Sequence, residues 1–177
     1  MAGPHMHAAN QSPQREVIRT ELASTRAAFH ALLDGLTDDD LRRQSGNPAW
    51  TVGAVLAHLV WSLSLLPREV MGARRGKGMY NLPLFLRDRL NATATRLGGR
   101  GQTVQKLRHR YDTAYAVALS TLDGVSDNEF RLGAHFWSEG FCDIAGLYHA
   151  QTHHFTEHSE DIRRAVPHLA RNVASAG

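Results

Sequence analysis

The chain has 177 residues, enough for one domain with a sizeable core, and its 42% hydrophobic content is that of an ordinary globular protein. A formal charge of +3 comes from arginines scattered among helices, without the continuous basic stripe that a nucleic-acid surface requires, so no nucleic-acid partner is expected. One cysteine, Cys142, excludes an internal disulfide and a CxxC metal site, and no apolar run approaches the roughly 20 residues of a membrane span, which together point to a cytoplasmic protein with no membrane partner.

The first eleven residues, opening Met1-Ala2-Gly3-Pro4-His5-Met6, read as an expression scar and are set aside with their histidines. Residues 12–170 read as a single helical domain and 171–177 as a frayed tail. Ser12-Pro13 opens the first helix with a cap residue and a proline at the first helical position. Ile18, Leu22, Thr25, Phe29, Leu32, Leu33 and Leu36 then recur at three- and four-residue steps until Gly35 and Thr37-Asp38-Asp39-Asp40 end it. Asn47-Pro48 marks a loop, and a second helix starts near Thr51 with Val52, Val55, Leu56, Leu59, Leu63, Leu66 and Val70 inward. Pro67 is expected to kink or stop it.

Gly72 to Gly78 reads as a basic loop, Leu82 to Leu97 as a further helix, and Gly98-Gly99-Arg100-Gly101 as a break. Thr103 caps another long helix with Val104, Leu107, Tyr111, Ala114, Ala118, Leu122 and Val125 inward. Ser126-Asp127-Asn128-Glu129 has the capping-box spacing of a brief helix. Gly133 to Cys142 is expected to be an aromatic loop, and nothing in the chain reads as a sheet. The last helix runs from about Asp143 to Val166, where Pro167 ends it. Four long amphipathic helices, extra short helices and one long crossover describe an all-α four-helix bundle.

Chemistry concentrates in Tyr148 to His158, which holds four of the eleven histidines. Imidazoles four residues apart stand on one helical face and can share one ion. On a wheel of about 100° per residue from Ile144, His154 and His158 fall near 280° and 320°, in or beside the apolar arc. His149 and His153, which match the same spacing, fall near 140° and 180°, toward water. His58, on the shoulder of the second helix's apolar stripe, is the best third partner. Asp161, one turn beyond His158, suits an acceptor that orients an imidazole, a base, or equally a surface carboxylate paired with Arg163 or Arg164, and Glu157 is a weaker candidate for the catalytic role. Trp61, Phe136, Trp137 and Phe141 are candidates for a pocket wall, and Cys142 has no base at readable spacing.

Trp50-Thr51-Val52-Gly53 to Ala57-His58-Leu59, preceded by Leu36-Thr37-Asp38-Asp39-Asp40-Leu41, resembles the second-helix signature of the DinB/YfiT-like superfamily. The ending His154-Phe155-Thr156-Glu157-His158-Ser159-Glu160-Asp161-Ile162 is similar to that family's last helix, with the departure that Ser159 and Asp161 stand where arginine and glutamine are common. The resemblance implies a four-helix bundle in which His58, His154 and His158 hold a divalent metal, zinc or nickel. It further implies an enzyme acting on a small-molecule substrate by thiol transfer, isomerisation or hydrolysis, with a low-molecular-weight thiol as a possible cosubstrate and a homodimer as a possible assembly. The competing expectation is a metal-independent binding or self-resistance protein that sequesters or inactivates a reactive natural product.

Overall fold

The structure, a computed structural model, describes residues 12–78, 101–136 and 140–169. The expected helix at Leu82 to Leu97, the scar, the tail and Trp137 lie outside the described residues. Among the described residues four long helices form: α1 (Pro13–Asp34), α2 (Val52–Arg74), α3 (Val104–Asp123) and α4 (Ile144–Ala165). Three of the four expected helix starts carry a side-chain cap. Thr51, Thr103 and Asp143 each accept a hydrogen bond from the backbone N–H three residues on, at 3.2, 3.1 and 2.7 Å. Ser12 precedes α1 without a side-chain cap, and Pro13 supplies the preset φ instead. Val166 is extended, the conformation a following proline imposes, and α4 ends there.

The helices form a four-cornered bundle in which α1 and α2 each pack against both α3 and α4. Their apolar stripes meet in a core that includes Phe29, Leu33, Leu56, Leu66, Leu107, Leu122, Ile144, Tyr148 and Ile162. Phe29 of α1 stacks on Tyr111 of α3 with ring centroids 3.9 Å apart. Each such side chain contributes about 1.5–3 kcal/mol on burial, so these stripes fix which helix face meets which.

Three expectations are corrected. Pro67 neither stops nor divides α2, which continues to Arg74. Leu65, Leu66, Val70 and Ala73 are buried around it, and that packing offsets the lost backbone hydrogen bond. The aromatic loop contains an antiparallel hairpin, β1 (Gly133–His135) with β2 (Phe141–Asp143). A Cβ at Gly133 would overlap the Cys142 carbonyl, so the close pairing of these strands needs a glycine there. Finally, α2 is long and apolar enough by length and composition to cross a membrane, although 67% of that stretch is buried inside the bundle. It is the central core helix, apolar nearly all round.

Candidate metal centre

Two packed helices build the site. Every residue from Val52 to Val60 is buried, so His58 enters the interior within a continuous apolar run of α2 and is only 7% exposed. From α4, His154 and His158 stand one turn apart on the face turned to α2. The three rings converge, with centroids 4.9 Å apart for His58 and His154, 5.3 Å for His58 and His158, and 4.7 Å for His154 and His158. One nitrogen from each lies within 4.8 Å of the others, and His58 Nε2 is 3.1 Å from His154 Nε2.

Burial sets the protonation state. Desolvation, reinforced by the facing rings of His154 and His158, lowers the His58 pKa from 6.5 to about 3. Desolvation first, then His158 and His153, brings His154 down to about 4. Both are neutral near pH 7, the form that donates a lone pair to a metal.

The donor set fits a divalent ion. Two nitrogens on a tetrahedral ion with bonds of roughly 2.0–2.1 Å stand about 3.3–3.4 Å apart, near the observed His58–His154 separation. Among the described residues, the buried Nδ1 atoms of His58 and His158 have no hydrogen-bond partner. Asp161 Oδ2 lies 3.4 Å from His158 Nδ1, within reach of orienting that ring. Asp161 is also held by Arg164 at 2.7 Å.

The alternative pair does not join these three rings, although His149 and His153 line the same cleft as His58 and His154. His149 Nδ1 meets Glu21 Oε2 of α1 at 2.6 Å, and the exposed His153 lies 3.6 Å from Glu157. Glu157 is an exposed carboxylate beside His153 that also lines this cleft. His30 pairs with Asp112 at 2.9 Å, and His168 contacts the Gly35 carbonyl at 2.9 Å.

A cleft of about 760 Å³ opens onto His58 and His154 between α2 and α4. Trp61, Leu65, Leu147, Phe136 and Phe141 give it apolar walls. Ser62 and Gln151 face each other across it at 3.4 Å. Two features were not found from sequence. Glu69 is a buried carboxylate in the cleft wall, signalled only by an acidic residue between Leu66 and Val70. Trp50 packs against two of the three histidines, with ring centroids 5.0 Å from His58 and 5.8 Å from His158.

Comparison with solved structures places this arrangement in a known fold. The chain superposes on a crystal structure of the mycothiol-dependent maleylpyruvate isomerase with a TM-score of 0.69 at 15% identity, covering 88% of this chain and 62% of that one. It thus spans under two thirds of the isomerase's length. A histidine-to-alanine mutant of the same isomerase gives a TM-score of 0.68 at 14% identity, covering 86% and 61% of the two chains. An uncharacterized protein from Clostridium difficile 630 gives 0.69 at 15% identity, covering 86% of this chain and 95% of that one. No curated protein matches. The family model described as the DinB superfamily matches residues 21–162, which take in α2 and α3 whole, most of α1 and α4, and all three histidines. The chain therefore belongs to the DinB superfamily.

Proposed function

We propose that this protein is a divalent-metal-dependent enzyme that acts on a small molecule in the α2–α4 cleft, by thiol-dependent transfer or isomerisation or by hydrolysis. The observation that carries this reading is the convergence of one nitrogen each from His58, His154 and His158 to within 4.8 Å, with His58 and His154 lining the cleft. Three neutral imidazoles that leave a coordination position open are what a catalytic zinc or nickel ion needs. The thiol is supported by the likeness to an isomerase described as mycothiol-dependent.

His58, His154 and His158 hold the ion. When bound, it supplies a Lewis acid that acidifies a thiol or hydroxyl group and polarises an acceptor oxygen. Asp161, whose Oδ2 lies 3.4 Å from His158 Nδ1, is the carboxylate placed to orient that ring. Ser62 and Gln151 offer hydrogen bonds to polar atoms of the substrate, while Trp61, Leu65 and Phe136 keep water from its apolar part.

The test is thiol-dependent turnover of small electrophiles, maleylpyruvate among them, by zinc- or nickel-loaded protein, with His154→Ala beside it. Activity in wild type that the variant and chelated protein lack is the expected result. Equal activity in all three would instead favour the metal-independent protective protein.

A further inference from the structure

The relative placement of α2 and α4 decides whether His58 can meet His154 and His158, because no single helix carries all three. The segment Arg43–Thr51 leads into α2 and is closed on itself. Gln44 bridges to Thr51, Val52 N–H donates to the Arg43 carbonyl at 2.9 Å, and Ser45 N–H and Oγ donate to the Trp50 carbonyl at 3.0 and 2.8 Å. Its tip docks on α4, where Gly46 N–H donates to the Asp161 carbonyl at 3.0 Å. A Cβ at Gly46 would stand 3.1 Å from both the Asp161 Cα and its carbonyl oxygen, backbone atoms of a packed helix with little room to give. At the other end of the loop, the Trp50 indole, 9% exposed, lies against one ring from each helix. Its buried Nε1 has no acceptor among the described residues; packing and the loop's own hydrogen bonds hold the ring.

We infer that the Arg43–Thr51 loop is a clamp that fixes the three histidines in metal-binding register, with Gly46 and Trp50 as its positioning residues. Gly46 ties the loop to the helix of His154 and His158 at Asp161, the residue that also faces His158 Nδ1. Trp50 stops the rings of His58 and His158 from rotating away from a shared ion. Groups that orient ligands without touching the metal typically change affinity by about 10–100-fold. The inference rests on the proposed metal site.

The test is zinc affinity, measured by competition with a chromophoric chelator, together with the visible spectrum of the cobalt(II) form. Gly46→Ala and Trp50→Ala are expected to weaken zinc by about 10-fold or more and to shift the cobalt bands, while Trp50→Phe, which keeps an aromatic face, restores most of the loss. Leu122→Ala, in the core of α3, serves as a control that lowers the melting temperature of the metal-free protein without weakening zinc. Loss of affinity in proportion to melting temperature across all variants, the control included, would overturn the clamp. So would variants that bind zinc within about two-fold of wild type. A wild type that binds no zinc or cobalt would instead overturn the metal site itself, and the clamp with it.

Discussion

His149 with His153 and His154 with His158 are two pairs of the same residue at the same spacing on the same helix, yet they meet different fates. The inward pair faces α2, loses water and joins His58. The outward pair keeps solvent and finds carboxylates, Glu21 at 2.6 Å and Glu157 at 3.6 Å. A 3.6-residue period separates neighbouring positions by about 100°, enough to place one imidazole against an opposing helix and the next in water. Spacing alone is therefore a poor guide to which imidazoles converge; spacing together with the apolar arc is a better one.

The largest expected effect follows from that contrast. His58→Ala or His154→Ala should lower zinc or nickel affinity by about 100-fold or more, while His149→Ala or His153→Ala should leave it within about two-fold, as read by isothermal titration calorimetry. Comparable losses from both pairs would erase the distinction.

Acid should separate the pairs next, in metal-free protein. The folded pKa values of His58 and His154, about 3 and about 4, lie below the ordinary 6.5, so the unfolded chain binds more protons in the interval. Stability contributed by these two neutral rings is fully present above about pH 6.5 and is lost as pH falls toward 4. A tenfold weakening of proton affinity on folding corresponds to about 1.4 kcal/mol, so several kcal/mol are at stake. Glu129, lowered to about 2 by hydrogen bonds from the Ser126 backbone and hydroxyl and by Arg74, adds its own loss mainly below its ordinary 4.5. Urea midpoints between pH 7 and 5 should fall steeply in wild type and in His149→Ala, but be nearly flat when His58 and His154 are both leucine.

A smaller effect is expected from Asp161→Asn, about 10-fold in metal affinity, because the carboxylate acts through His158. The smallest is Glu21→Gln. Its pair with His149 is more than a third exposed on both sides, so its loss should cost no more than about 1 kcal/mol of stability by urea unfolding and leave metal affinity unchanged.

Much of this was legible in the residues because local rules and tertiary packing agree. Pro13, Thr51, Thr103 and Asp143 mark the helix starts, and each sits where its capping chemistry or fixed φ works. The inward histidine pair could be read because α4 has one clear apolar face. α2 was harder. It is buried on nearly all sides, so a wheel places His58 only on a shoulder and cannot tell which neighbour it meets. The Gly133–Asp143 hairpin escaped because strands of three residues carry almost no period-two signal. The loop at Gly46 and Trp50 escaped because its register depends on a backbone hydrogen bond to Asp161, more than a hundred residues on, which no local pattern encodes.

The central claim is most directly tested by anomalous diffraction from crystals of the full chain soaked in zinc and measured on both sides of the zinc edge. The account predicts one dominant peak per chain, bonded to nitrogens of His58, His154 and His158 at about 2.0–2.1 Å. A dominant peak at His149, His153 or Glu157, with the three inner rings bare, would contradict it.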